Sequence, residues 1–331
     1  MTVAEQVLAA RRAAAWFALG DRGLVEVRGA DRVRFLQGQL TADIAALEAA
    51  GPGSGCYALA LTAQGRIVFD AHVIARPDAI WLETAAAAVP AALARLGRYV
   101  IADDVELVVR SDEIARFAIE GPRAGALGAA LAGRALELPP EGAAEVGIAG
   151  AVGLAAAFGW SGERAVQLLF PGAARAELED ALRRAAPALE AVEAGGDALE
   201  VLRVEAGVPR VGAELGEDVL PAEARLLERA VSFSKGCYTG QEVVARMQSR
   251  GRASHLLVGL SFAGAPPAPR APLRDGATAV GELTSSALSP HVGPIGLGYV
   301  RRGYDAPGTR LVLESGDAVR VAALPFVAPK S

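Results

Sequence analysis

Cysteine, histidine and aromatic side chains are all scarce in this chain, and each shortage removes a class of function. Of 331 residues only two are cysteine, Cys56 and Cys237, far apart in the sequence. They make neither a disulfide framework nor a Cys-x-x-Cys pair nor a four-ligand zinc set, which points to a reducing compartment. The three histidines, His72, His255 and His291, show no metal-ligand spacing, so no metal site is expected. Aromatics are 5% against abundant alanine and glycine, a bias typical of a GC-rich genome and without functional weight. Excess positive charge is also missing. With 33 basic and 38 acidic residues the net charge is −5, so no bulk attraction for a polyanion and no direct nucleic-acid binding is expected. No long apolar run occurs either. The longest uncharged stretch, 146–162, is cut by Gly147, Gly150, Gly153 and Gly159 and falls short of the ~18 residues of a membrane span. Residues 1–20 lack the apolar core and cleavage site of a secretory signal. A cytoplasmic protein without membrane contact is the expectation.

What is present is apolar material for large cores, 52% of the chain, and a length that suits two or three units at roughly 100–200 residues each. Residues 23–28 read as a strand, and Asp31 can cap a helix through Val33, Leu36 and Leu40. The turn cluster Gly51-Pro52-Gly53-Ser54-Gly55 lacks the Gly-Lys-Ser/Thr ending of a phosphate loop and is read as a turn. Strands at 56–61 and 67–74 flank Gly65 as a hairpin. A short element begins at Trp81, and 89–99 reads as a helix. Strands follow at 105–110 and 116–119. Two strands account for 146–162, and the helix 174–186 stops at Pro187. This hairpin-rich mixture predicts α+β architecture, not a doubly wound parallel sheet. After residue 253 nearly everything is strand and turn, including a proline-rich loop at 265–272, which predicts a small β-barrel.

The richest local chemistry lies at 230–252. The apolar run 230–233 is expected to end a buried segment, after which Gly236 turns the chain. Thr239 and Glu242 have the spacing of a capping box, predicting a helix from Gly240 through Val243, Val244 and Met247, closed by Gly251. That places Cys237 just before a positive helix end and beside Lys235, both of which favour a thiolate. Local physics leaves two readings of Cys237 open, a reactive thiol and a small residue in a turn. Arg246, Arg250, Arg252 and His255 form a basic edge, readable as a contact for an acidic ligand tail or as a solvated helix face.

Lys235-Gly236-Cys237-Tyr238-Thr239-Gly240-Gln241-Glu242 resembles the signature of the YgfZ family. The stretches 35–43 (Phe-Leu-Gln-Gly-Gln-Leu-Thr-Ala-Asp), 203–209 (Arg-Val-Glu-Ala-Gly-Val-Pro) and 295–300 (Ile-Gly-Leu-Gly-Tyr-Val) resemble further motifs of that family, in its order along the chain. The family is related to the T-protein of the glycine cleavage system, an aminomethyltransferase that uses tetrahydrofolate. The resemblance implies a T-protein-like folate-binding fold: two interleaved α+β subdomains over 1–252, with a boundary near 111, and a C-terminal β-barrel over 253–331. It implies tetrahydrofolate or a derivative as cofactor. Glu205, in the Arg-x-Glu-x-Gly motif, corresponds to the glutamate that holds the pterin; a surface ion pair of Glu205 with Arg203 or Arg210 is the other reading. Where the T-protein has two adjacent aspartates after its hairpin turn, this chain has Phe69 and Asp70, which leaves Asp70 as a pocket residue and argues against aminomethyl transfer.

The function expected from the resemblance is that of a folate-binding accessory protein for iron–sulfur client or assembly proteins, tRNA-modifying enzymes among the clients. Cys237 and Lys235 are its chemical residues, and Glu205, Tyr238, Gln241, Asp70 and Arg246 line its cofactor site. One thiolate is too few to hold a cluster without other ligands. The alternatives are a tetrahydrofolate-dependent one-carbon transferase and a scaffold without ligand.

Overall fold

The computed structural model describes residues 1–249 and 253–330. Its α+β portion is built from two sheets that share the chain in an interleaved way, antiparallel throughout except where Ala191–Glu193 runs parallel to Ala14–Leu19. Ala14–Leu19 enters one sheet, the chain then lays down all of the second, and it returns to complete the first. The second sheet has the strand order Gly55–Leu61, Ile67–Ala75, Ile80–Ala85, Arg22–Arg28 and Glu106–Val109. The first sheet runs Ala191–Glu193, Ala14–Leu19, Ile114–Glu120, Ala165–Pro171, Ala151–Ala156 and Ala143–Ile148. Six further strands, from His255–Phe262 to Ala318–Ala322, close into a barrel. The α+β fold and the terminal barrel are therefore as the sequence implies.

Each sheet is two-faced because side chains alternate across a strand. In the second sheet Val25, Val27, Ala58, Ala60, Phe69, Ala71, Val73 and Leu82 pack against the helices Arg32–Gln39, Ile44–Ala49 and Val89–Gly97. In the first sheet Phe117, Ile119, Leu168 and Phe170 bury Leu127, Leu178 and Leu182 of its two covering helices. The other faces of the two sheets turn toward one another. They meet where Ile74 packs with Leu154, Phe158 and Leu169. The barrel docks through Leu257, Ala287, Ile295 and Leu297 onto Phe17, Leu19 and the helix Gly196–Ala206. No helix among the described residues is long and apolar enough to cross a membrane.

Several local expectations need correction. Residues 1–20, to which the sequence reading assigns no element, hold a helix, Val3–Arg12, with a complete Thr2–Glu5 capping box, and the strand Ala14–Leu19. Asp31 does not cap its helix, because its carboxylate accepts from the Asp104 amide and from Arg34 instead. The run 230–233 is not uniformly buried: Ala230 ends the short helix Leu227–Ala230 inside the core, and Phe233 is exposed. The late helix spans Gln241–Ser249, and Thr239 is not its cap. Gly240 has φ +87 and a Cβ there would lie 2.7 Å from Thr62 O, so the chain turns at the glycine and the helix starts after it. The Thr239 amide donates to Gly38 O, and Gln241 Oε1 accepts from the Tyr238 amide. Arg250, Gly251 and Arg252 lie outside the described residues.

The glycine cluster at 51–55 has a steric purpose. The Ala143 amide donates to Gly53 O at 2.7 Å, and a Cβ on Gly55 would fall 1.9 Å from Glu141 O. Both neighbours are backbone, so neither can move aside cheaply. We predict that Gly55→Ala lowers stability by about 1–3 kcal/mol, read as a lower urea midpoint. Gly38→Ala, in the helix Arg32–Gln39 with open space around it, should instead raise the midpoint by up to ~1 kcal/mol. Equal midpoints for the two variants would show that the close approach is not rigid.

Candidate functional site

The polar side chains of the α+β portion gather between the two sheets. Along Ile67–Ala75, Phe69, Ala71 and Val73 face the helix-covered core, so Asp70 and His72 face the other way. Register brings Tyr57 opposite His72, His72 opposite Glu83, and Trp81 opposite Glu26 on that same face. Tyr57 Oη donates to Asp70 Oδ2 at 2.8 Å. Burial, and then the Asp70 charge, push the Tyr57 phenol well above its ordinary range, so it keeps its proton. Arg22 grips Glu83 with two bonds of 2.6 Å. Burial opposes the Arg22 charge, but Glu83, and more weakly Asp70, hold it protonated.

Aromatic rings close this space from the first sheet. Phe158 stacks on His72 with centroids 3.8 Å apart, Trp160 meets Phe158 edge-on at 6.1 Å, and the Arg22 guanidinium lies 4.9 Å over the Trp160 ring. Glu141 bridges His72 Nδ1 at 3.1 Å and Arg229 Nη2 at 2.9 Å. Burial works against its ionisation, yet the His72 bond and charge, followed by Arg229, hold it down to about 2. On one side of the Phe158–Trp160 pair lies a cavity of about 540 Å³ lined by Phe17, Leu19, Arg22, Trp160, Glu200 and Arg210. On the other side a cavity of about 490 Å³ is lined by Leu138, Glu141, Phe158, Val208 and Arg229. A third, of about 520 Å³, lies against the barrel beside Arg66, Glu223, Ser254 and Tyr299.

With that geometry in place, the likeness to known proteins becomes informative. Residues 1–235 match the GCVT N-terminal domain, and residues 256–328 match the glycine cleavage T-protein C-terminal barrel domain. This chain belongs to the glycine cleavage T-protein family. An aminomethyltransferase of Streptomyces avermitilis is 31% identical over 97% of this chain and 88% of its own length. A putative chloroplastic transferase of Arabidopsis thaliana is 28% identical over 94% of this chain and 70% of its own. The crystal structure of the glycine cleavage system aminomethyltransferase T from Bartonella henselae superposes with a TM-score of 0.87 at 25% identity, covering 98% of this chain and 90% of that one.

Within this T-protein fold the residues singled out in the sequence fall into separate places. Asp70 lies on the inter-sheet face, bonded by Tyr57, and lines none of the three cavities. Phe69, at the position of the missing first aspartate, is fully buried in the helix-side core. An acid at 69 would point away from the cleft, so its absence here does not argue against cleft chemistry. Glu205 is fully buried, and its ion-pair partner is Arg11, not Arg203 or Arg210. Arg11 Nε donates to its Oε2 at 3.0 Å, while Ser289 Oγ donates to Oε1 and His291 Nδ1 lies 3.4 Å from it. Both carboxylate oxygens are thus engaged within the protein, leaving no open edge for a pterin in this conformation. Arg203 is likewise buried, donating to Glu200, Glu214 and Ser285.

The signature segment packs along the edge strand Gly55–Leu61 with the other sequence motif, 35–43. Lys235, read from the sequence as the cation beside Cys237, turns inward. Its ammonium donates to Leu40 O at 2.8 Å and Ala42 O at 2.7 Å, and the charged or ionisable groups acting on it are Asp43 and Cys56. Burial lowers Lys235 to about 8. Tyr238 is buried among Leu59, Leu61 and Val244, Gln241 is spent on the Tyr238 amide, and Arg246 is exposed on its helix. Cys237 itself is exposed, and none of Cys237, Tyr238, Gln241 and Arg246 lines the three cavities. Arg22, Tyr57, His72, Glu83, Glu141 and Trp160 escaped the sequence reading. The usable signal was the recurrence of polar residues at every second position of otherwise apolar strands, as in Asp70 and His72.

Two measurements check this arrangement. Cys56 is half-buried, and burial followed by the Glu141 charge pushes its thiol up to about 12. Iodoacetamide should therefore label Cys237 in the native protein and reach Cys56 only in denaturant, read by peptide mass; native labelling of Cys56 contradicts the packing. For Lys235 the unfolded chain binds the proton more tightly than the folded one between about 8 and 10.5. Stability should thus rise with pH across that window, and Lys235→Met should flatten the rise in chemical unfolding curves.

Proposed function

We propose that this chain binds a tetrahydrofolate between its two sheets and transfers a one-carbon unit there, with Asp70 as the acid–base residue. The observation that carries the reading is the half-buried Asp70 carboxylate on the inter-sheet face, oriented by the Tyr57 hydroxyl and acting through its charge on Arg22, a wall of the cavity of about 540 Å³. The relatives named aminomethyltransferase point the same way.

The residues suit the ligand. A cavity of about 540 Å³ lies inside the ~300–1,000 Å³ usual for small-molecule sites. Trp160 offers it an indole face against which a flat heterocycle can stack. Arg210, half-exposed at its margin, suits the acidic tail of a folate. Bound tetrahydrofolate supplies the ring nitrogens that carry the one-carbon unit. The chain's part is to exclude water and to move a proton at Asp70. Tyr57 occupies one oxygen of that carboxylate, fixing its direction, and the fixed Arg22 and Glu83 charges keep the local field constant while the proton moves.

A second reading is favoured by one observation, the exposed Cys237 within a signature resembling that of YgfZ. On it, the chain binds folate without turnover and supports iron–sulfur client proteins, tRNA-modifying enzymes included, with Cys237 as the reactive thiol. Calorimetry with tetrahydrofolate and a turnover assay with a one-carbon donor separate the readings. We expect binding and turnover in the wild type, with Asp70→Asn reducing kcat about 10²–10⁴-fold while the protein stays folded. Binding without turnover transfers the function to the accessory role, in which Cys237→Ala should fail to sustain cluster enzymes in cells. No binding at all leaves only a scaffold.

A further inference from the structure

The loop that carries both aromatic rings of the cleft is built around a buried acid that the proposed reaction does not use. Glu120 ends the strand Ile114–Glu120, sits opposite Ala15 and Ala165, and is fully buried. Its Oε1 accepts from the Trp160 amide at 3.1 Å, and its Oε2 accepts from the Ser161 amide at 3.1 Å and from the Ser161 hydroxyl. Ser161 Oγ in turn accepts from the Glu163 amide at 3.2 Å. A Cβ on Gly159 would lie 2.5 Å from one carboxylate oxygen and 2.8 Å from the other, so the loop is wrapped on the acid without slack. Gln167, on the same face of the sheet, donates to Phe158 O at 2.9 Å. This short loop divides the two cavities: Trp160 walls one, and Phe158 and Gly159 wall the other.

We infer that Glu120 is a positioning residue: as a carboxylate it holds the Trp160–Phe158 partition in place, and on protonation it releases it. The ionised form offers both oxygens to the amides of residues 160 and 161; adding a proton removes acceptor capacity from one of them. The charged group acting on it is Arg11 from the helix Val3–Arg12, which itself bonds Glu163 of the loop and Glu205 of the helix Gly196–Ala206, with His291 beyond Glu205. The Arg11 guanidinium is bonded to those two carboxylates, Glu163 at 2.9 Å and Glu205 at 3.0 Å, and acts on Glu120 only through its charge. Burial raises Glu120 to about 7, against the opposing effects of the Ser161 and Trp160 bonds and of Arg11. The partition is therefore proton-sensitive near neutrality. That these rings face a folate rests on the reading above; that Glu120 holds them does not.

The test reads Trp160 with no ligand present, as the difference in emission and acrylamide quenching between wild type and Trp160→Phe. Losing one amide acceptor should raise the open-to-closed ratio of the partition roughly fivefold, the equivalent of about 1 kcal/mol. Quenching of Trp160 should accordingly increase as pH falls through about 7. Glu120→Gln, which keeps the shape but cannot titrate, should abolish the step. A flat titration in the wild type overturns the inference, as does an unchanged step in Glu120→Gln. The wild-type titration stands even if the variant does not fold, and neither arm depends on folate binding.

Discussion

One guanidinium, that of Arg11, joins four separate parts of this chain. From the first helix it reaches Glu205 in the helix Gly196–Ala206, and Ser161 O and Glu163 in the partition loop; Glu205 then engages Ser289 and His291 of the barrel. Taking these charges out of water is costly, and an apolar substitute of equal volume would serve stability as well. Its worth lies in direction. Hydrogen bonds between charged groups fix angles as well as distances, so the barrel, the central helix and the partition loop are held in one relative position. The cleft depends on that position, since its walls come from all the elements around it.

A second constraint is steric. The motif at 35–43 and the signature at 235–242 are almost two hundred residues apart, yet Lys235 bonds to Leu40 O and Ala42 O, Ser232 N to Thr41 O, and Thr239 N to Gly38 O. Gly65 and Gly240 permit the hairpin turn and the late helix to touch, since a Cβ at either would clash with the other. The signature is thus an edge clamp on the strand Gly55–Leu61, and its specificity as a pattern is explained by backbone approach and buried donors. Its thiol, that of Cys237, is exposed. The same holds for the Arg-x-Glu-x-Gly motif, whose Arg203 and Glu205 both bond into the barrel.

The fold was largely legible in the chain. Alternating apolar positions marked the strands at 56–61 and 67–74, glycine and proline marked their ends, and the proline-rich strand-and-turn tail marked the barrel. Asp70, the residue proposed for proton transfer, was picked out through the resemblance to the T-protein, whose adjacent aspartates follow a hairpin turn. Its neighbours were not. His72 looks like an isolated histidine, and Trp160, Glu83 and Arg22 have no shared spacing with it.

Local pattern therefore marked most of the strands, helices and turns, because those depend largely on neighbours along the backbone. It did not decide which buried charges meet. Lys235 lies two residues from Cys237 yet points into the Leu40 and Ala42 carbonyls, and Glu205 lies two residues from Arg203 yet bonds to Arg11, 194 positions away. Adjacent side chains in a helix or turn diverge, while a buried charge must find its partner wherever packing brings one within about 3 Å. Only the folded chain sets that pairing, and with it the direction of every group in the cleft.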